Sequence, residues 1–116
     1  MLRTAADFSA LADAPRSSSA LLGIRHRVDA SRATEPSAPT LRIGIAASRK
    51  VGGAVVRNRI RRRLKAIARD LTPTIPAGTD ILIGVRPEAA TASSDELRAA
   101  FVACLRRARL VDGAKG

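Results

Sequence analysis

Aromatic side chains are almost absent from this chain of 116 residues, which has two Phe and no Trp or Tyr. Domains that recognise single-stranded RNA by stacking bases on a sheet use two or three exposed rings. The composition therefore disfavours that mode of recognition.

Cysteine and histidine are equally scarce, with only Cys104 and His26. One cysteine cannot form an internal disulfide, and the pair does not supply the ligands of a zinc or haem site. Cys104 falls on the apolar face of a helical pattern, which favours a small buried side chain. His26 is interpreted as a strand residue or as the neighbour of a bound phosphate. Neither residue supports an autonomous active site.

Acidic residues are few, and long apolar runs are missing. Ten acids oppose 21 Lys and Arg, so the net charge is +11 and the isoelectric point is about 11.7. Only Asp95 and Glu96 are adjacent, whereas two-metal phosphodiester hydrolysis needs clustered carboxylates.

No stretch approaches the roughly 18 apolar residues of a membrane span, and the first residues lack a signal peptide's apolar run. We expect residues 1–116 to form one cytoplasmic domain that binds nucleic acid. We expect neither a membrane partner nor a dedicated metal site in the protein.

The basic segment, Arg49–Lys65, holds eight of the 21 Lys and Arg residues and no acid. An apolar series runs through it and beyond, at intervals of four, four, three and four residues. At about 100° per residue these side chains share a stripe roughly 80° wide. The pattern predicts a helix that packs on a core through Val56, Ile60, Leu64, Ile67 and Leu71.

Cations are predicted on both sides of that stripe. The polar positions form three rows: Arg57, Arg61 and Lys65 on one flank, Arg59 and Arg63 on the other, and Asn58, Arg62 and Arg69 facing away from the core. Like charges four residues apart repel by a few tenths of a kcal/mol per pair, a cost that a bound polyanion relieves. The helix is therefore predicted to contact polyanions with both flanks.

The start of the basic segment suggests a second binding feature. Gly52 and Gly53 shape a tight turn and expose backbone N–H groups at a helix N-terminus, where Arg49 and Lys50 add positive charge. Phosphate binding and a plain connecting turn explain the two glycines equally well.

The remaining patterns place other elements around this helix. Alternation predicts strands over Leu22–Val28 and Leu41–Ala47, and a continuous apolar run predicts an interior strand, covered on both faces, over Ile81–Val85. A short helix is expected at Asp7–Leu11, with loops at 14–19 and 33–39. Ser93 and Glu96 form a capping box that starts a last helix. The base rate for a β-α-β connection predicts a right-handed crossover.

One face of the strand over Leu41–Ala47 is small and polar apart from Arg42. Small residues on a sheet face accommodate a packed helix, or they let an extended ligand chain lie close to the backbone. Both readings stay open at this point.

Three motifs together resemble the bacterial ribonuclease P protein subunit: Arg42 followed by Gly44, the run Ser48-Arg49-Lys50-Val51-Gly52, and the run from Ala54 through Arg57-Asn58-Arg59 to Leu64. The resemblance implies an α/β fold, an α+β two-layer sandwich of the ribosomal protein S5 domain 2-like type. Its element order is αβββαβα, with a mostly antiparallel central sheet. It also implies an unusual left-handed β-α-β crossover that carries the basic helix.

The resemblance implies a function as well. The implied partners are the catalytic RNA subunit and precursor tRNA. The implied activity is that of an endoribonuclease holoenzyme that removes the 5′ leader, with catalysis expected in the RNA and no catalytic residue in the protein. Magnesium ions are bound mainly by RNA, and DNA is not an expected partner. The implied RNA-binding residues are Arg49, Lys50, Arg57, Asn58, Arg59, Arg61, Arg62, Arg63 and Lys65. The implied leader-binding residues are Phe8, Arg42 and Ser48.

Three other classes of protein share parts of this composition. A ribosomal or ribosome-assembly protein is the strongest alternative, because a structural RNA binder has the same charge and size. A DNA-binding regulator fits less well, since the cations wrap both flanks and no partner helix forms a helix-turn-helix. A membrane-surface helix fits least, because the apolar stripe lacks Trp or Phe anchors.

Overall fold

The computed structural model describes residues 16–28, 41–108 and 110. This part contains four strands and two α-helices: β1 (Arg16–Ser18), β2 (Leu22–Val28), β3 (Leu41–Ala46), α1 (Ala54–Leu71), β4 (Thr79–Val85) and α2 (Ser94–Arg107). Short 3₁₀ helices follow α1 at Thr72–Thr74 and β4 at Pro87–Thr91. The predicted helix at Asp7–Leu11, which contains Phe8, and the predicted loop at 33–39 lie outside the described residues.

The strands form one sheet in the order β1-β2-β4-β3. β2 runs antiparallel to both β1 and β4, while β3 runs parallel to β4. The predicted α/β class, the βββαβα order of the described elements and the mostly antiparallel sheet are therefore confirmed. α1 connects the two parallel strands, and the left-handed crossover stays a prediction from the resemblance.

The sheet has an apolar face that packs against both helices. Alternation along neighbouring strands brings Ile24 opposite Ile83, and Ile43 beside Ile81. These side chains belong to the same buried cluster as Ile60, Leu64, Leu97, Phe101 and Leu105 of the helices. The result is a two-layer arrangement, because each amphipathic element must cover its apolar side with another element.

The segment around Ser17 differs from its prediction. Its Pro- and Ser-rich composition predicted a loop at 14–19, yet Arg16–Ser18 forms a short strand, with Ser17 opposite Ile24 of β2. β1 pairs with the edge of β2, and this tertiary context outweighs the low strand propensity of a Pro- and Ser-rich segment. That part of the loop prediction is wrong.

The apolar run Ile81–Val85 lies inside β4, which has neighbours on both edges, so an interior strand is confirmed. The expected cover on both faces is only partial. Ile81 and Ile83 are buried, whereas Leu82 is half-buried and Gly84 is exposed. The second face of the sheet is therefore open at this end of β4.

The end of the described chain follows the sequence prediction closely. The Glu96 N–H donates to Ser93 Oγ at 3.1 Å, and the Ser93 N–H donates to Glu96 Oε1 at 2.9 Å, so the capping box is confirmed. These hydrogen bonds hold the pKa of the Glu96 carboxyl below its usual value.

Cys104 is fully buried on α2, as predicted, and burial raises the pKa of its thiol. Within the described chain, no helix has the length and apolar character needed to cross a bilayer.

Candidate nucleic-acid interface

The basic segment forms the entry turn and most of α1, and the predicted stripe holds this helix against the core. Ile60, Leu64 and Ile67 are buried, while Val56 and Leu71, at the two ends of the stripe, are only half-buried. Ala68 is buried as well and completes the row one turn after Leu64. The same helical periodicity would have included Ala68. The polar side of the helix is thus fixed relative to the rest of the fold.

The entry turn is organised by Ser48. The Val51 N–H donates to the Ser48 carbonyl oxygen at 3.0 Å, and the Lys50 N–H donates to Ser48 Oγ at 3.3 Å. Gly53 is the N-cap of α1, without a side-chain cap and without an acid in the first helical turn. The positive end of the helix dipole is therefore not offset by a side chain of the helix itself.

The outer row of α1 is exposed, and the flank beside it is exposed at Lys65 and half-buried at Arg57 and Arg61. Asn58, Arg62 and Lys65 are exposed, and the Arg61 Nη1 donates to Asn58 Oδ1 at 3.3 Å. A shallow groove of about 500 Å³ runs along this side. Its lining residues are Val55, Asn58, Arg61, Arg62 and Lys65.

The opposite flank of α1 lies against the connection between β4 and α2. The Arg59 Nη2 donates to the Ala90 carbonyl oxygen at 3.4 Å, and the Arg63 Nη1 donates to the Ala92 carbonyl oxygen at 3.3 Å. Both arginines are half-buried. The two flanks therefore differ in a way that periodicity did not predict: one faces outward, while the other also anchors the helix to its neighbour.

Among the described residues, no acid forms an ion pair with this cationic surface. The ion pairs of the described residues join Arg27 and Arg42 to Asp80, and Arg98 to Asp70. None of them involves a cation between Arg49 and Lys65. The Nε atoms of Arg57 and Arg59 are buried without an acceptor in the described part of the chain. The repulsion along α1 is therefore unrelieved within that part, as expected of a polyanion-binding surface.

A second candidate surface lies on the face of the sheet opposite the helices. The register aligns three cross-strand rows on β2, β4 and β3: Gly23-Gly84-Ala46, Arg25-Leu82-Gly44 and Arg27-Asp80-Arg42. A groove of about 360 Å³ covers the first row and the Arg25 and Leu82 members of the second, and it reaches Arg86, just after β4. Its floor is built from small side chains, so a ligand chain is able to approach the backbone closely.

Of the three predicted leader-binding residues, the structure describes Arg42 and Ser48. Phe8 lies outside the described residues, while Arg42 lies near the start of β3 and Ser48 lies two residues beyond its end. Arg42 binds the buried Asp80 through two hydrogen bonds. Sequence reasoning missed Arg25, Arg86 and Asp80 as part of this surface. Alternation along β2 pointed to Arg25, whereas Arg86 and Asp80 required the strand register.

Comparison with known proteins decides the family. A family model described as Ribonuclease P matches residues 1–109. The chain belongs to this family. A ribonuclease P protein component from Rhodococcus opacus is 42% identical over 87 residues, which cover 74% of this chain and 70% of that protein. Another, from Chloroflexus aurantiacus, is 45% identical over 73 residues, or 62% of this chain and 54% of that protein.

Solved structures of the ribonuclease P family share the fold. The RNase P protein of Staphylococcus aureus matches with a TM-score of 0.80 at 21% identity, covering 95% of each chain. The RNase P protein of Thermotoga maritima matches with a TM-score of 0.75 at 23% identity, covering 91% of this chain and 94% of that one. The predicted membership and fold class are confirmed. Membership of the ribonuclease P family implies tRNA processing in an endoribonuclease complex with an RNA partner.

Proposed function

We propose that this chain is the protein subunit of a ribonuclease P holoenzyme. It binds the catalytic RNA subunit and the 5′ leader of precursor tRNA, and it assists removal of the leader. The observation that carries this proposal is the cationic surface of α1 and its entry turn, which is held rigidly by the core and has no acidic partner among the described residues.

The catalytic RNA is proposed to bind α1 and its entry turn. The exposed row and flank of α1 present Asn58, Arg61, Arg62 and Lys65 around one groove, and Arg49 and Lys50 extend the positive surface to the start of the helix. Each phosphate that these side chains neutralise releases condensed counterions, which favours association and makes it depend on salt. Arg57 adds charge on the same flank as Arg61, and Arg59 and Arg63 add charge where the helix meets the connection between β4 and α2.

The leader is proposed to lie in the groove on the open face of the sheet. Gly23, Gly84 and Ala46 leave room above the strands, and Arg86 lines the same groove with a buried Nε that lacks an acceptor among the described residues. A single strand with its phosphates beside Arg86 supplies that acceptor. Arg42 and Ser48 flank this surface at the two ends of β3, and Phe8 joins them in the proposal through the family resemblance.

Catalysis is proposed to reside in the RNA subunit. Across residues 16–28, 41–108 and 110, no three His, Cys, Asp or Glu side chains come together as a metal-binding group, so the described residues do not fit a dedicated metal site. Asp80 faces two arginines rather than other carboxylates. Magnesium ions of the holoenzyme are proposed to be bound mainly by RNA, while the protein contributes binding and charge neutralisation.

Reconstitution tests the division of labour. We expect purified protein with magnesium to leave precursor tRNA intact, and the complex with the catalytic RNA to remove the leader. Cleavage by rigorously purified protein alone would contradict the assignment of catalysis to RNA.

A second experiment identifies the RNA partner in cells. Sequencing of RNA recovered with the protein is expected to yield one abundant structured RNA together with precursor tRNAs. Recovery of ribosomal RNA, with leader removal unaffected by depletion of the protein, would instead assign the chain to ribosome structure or assembly.

A further inference from the structure

Asp80 is a fully buried carboxylate in β4, an interior strand of the sheet. The register places it between Arg27 of β2 and Arg42 of β3. Arg42 donates from Nε to Oδ1 at 2.9 Å and from Nη2 to Oδ2 at 2.8 Å, and Arg27 donates from Nε to Oδ2 at 3.1 Å. One acid thus orients two guanidinium groups across three strands.

Stability alone is a weak reason for this arrangement. Removing a carboxylate from water is costly, and buried ion pairs are often no more stabilising than apolar side chains of similar size. The arrangement does keep the guanidinium groups of Arg27 and Arg42 in fixed positions. Together with the Asp80 carboxylate, the three side chains carry a net charge of +1. Both arginines still reach the surface, with 38% of the Arg27 side chain and 23% of the Arg42 side chain exposed.

The row containing Asp80 continues the proposed leader-binding face. It lies beside the Arg25-Leu82-Gly44 row, and Asp80 is six residues before Arg86, which follows the end of β4, so the two positions are about 20 Å apart at the usual rise of a strand. Cations therefore stand at both ends of the open face, with small or apolar side chains between them. An extended polyanion that lies along β4 meets positive charge at each end.

We propose that Asp80 is a positioning residue for the leader: it holds Arg42 and Arg27 so that their guanidinium groups meet a phosphodiester of the single strand. This inference rests on the proposed function of the open face. A free arginine loses rotamer freedom when it binds, and a guanidinium fixed beforehand by a carboxylate loses less. Asp80 contacts no RNA in this proposal and acts only through the two arginines.

The substitution Asp80→Asn separates positioning from bulk charge, because the two effects have opposite signs. Removing a carboxylate raises the net charge by one and strengthens the binding of any RNA. Loss of positioning weakens only the contact with the leader. We expect the preference of the reconstituted holoenzyme for precursor tRNA over leaderless tRNA to fall on the order of ten-fold, about the size of one charge-assisted hydrogen bond.

Asp70→Asn is the matched control, because it removes an exposed carboxylate whose partner, Arg98, is on α2. We expect this variant to retain the full leader preference. A double-mutant cycle adds a second readout: in an Arg42→Ala background, Asp80→Asn is expected to cause less additional loss than it does alone. If Asp80→Asn fails to fold, Arg42→Lys replaces it, since lysine keeps the charge but cannot form the two-pronged contact.

The possible outcomes are distinct. A folded Asp80→Asn or Arg42→Lys protein with unchanged leader preference overturns the positioning role and leaves the proposed function intact. An equal loss of affinity for precursor and leaderless tRNA assigns Asp80 a purely structural role and also overturns the inference. A wild-type holoenzyme without any leader preference contradicts leader binding itself and removes the basis of the inference.

Discussion

A Cβ atom at Gly52 would lie only 3.0 Å from Cβ and Cγ1 of Val56. The turn that enters α1 is therefore closed against the first turn of the helix. Gly52 also has a φ of 155°, which L side chains rarely adopt. The glycine needed by this turn is thus Gly52, because both its backbone and its surroundings exclude a side chain.

Gly52→Ala is predicted to destabilise the protein by about 1–3 kcal/mol, since the variant combines an unfavourable φ with a close contact to Val56. Urea unfolding measures the change. Gly53→Ala is the control, because nothing lies within 4 Å of a Cβ at Gly53 and its φ is −72°. We expect the control to cost less than about 1 kcal/mol. Equal losses in both variants would show that Gly52 has no special role.

The outward flank of α1 is predicted to supply phosphate contacts. Arg57→Ala and Arg61→Ala should each reduce the slope of log affinity for the catalytic RNA against log salt by about 1. Titrations at several salt concentrations give this slope. Arg106→Ala, which removes an exposed cation of α2, is the control and should leave the slope unchanged. An unchanged slope in both α1 variants would show that this flank does not meet phosphate.

The inward flank is predicted to affect folding as well as binding. Arg63→Ala removes the hydrogen bond from Nη1 to the Ala92 carbonyl oxygen and should cost about 0.5–1.5 kcal/mol of stability. Arg62→Ala, one residue away on the exposed side, should leave stability within about 0.5 kcal/mol of the wild type. Urea unfolding of the two variants tests the difference between the flanks, and equal stabilities would contradict it.

His26 is predicted to make stability depend on pH. It lies opposite Ile81 on the apolar face of the sheet, and burial lowers its pKa below the usual value of about 6.5. The unfolded chain then binds a proton more readily than the folded chain, so the contribution of His26 to stability is fully present above the usual pKa of about 6.5 and is lost as the pH falls below it. His26→Leu should flatten the dependence of the urea midpoint between pH 7.5 and 5.5. Parallel curves for the variant and the wild type would exclude a contribution from His26.

The elements with strong periodicity were predictable from the chain alone. The stripe from Val56 to Leu71 predicted α1, and the Ser93-Glu96 capping box predicted the start of α2. Local chemistry decides both features, because helical spacing and capping involve residues a few positions apart. The cationic surface was equally predictable, since the charges of the basic segment belong to the same helix.

Relations between distant segments were not predictable. The Ser-rich composition of residues 14–19 predicted a loop, whereas β1 forms there because β2 offers an edge for pairing. Asp80 has no charged residue among its immediate neighbours in the sequence, yet the sheet places it between Arg27 and Arg42, which are 53 and 38 positions away. The division of α1 into an anchored and an outward flank likewise depends on carbonyl groups near Ala90 and Ala92, about 30 residues further along.

The sequence by itself determined that one helix is apolar on one side and cationic on the others, because periodicity and charge are local properties of the chain. Only the tertiary structure decided which cations remain open to a partner and which are held by internal acceptors. It also decided that small residues from three separate strands form one groove. Strand register and helix docking bring those groups together, and both depend on the packing of the whole core.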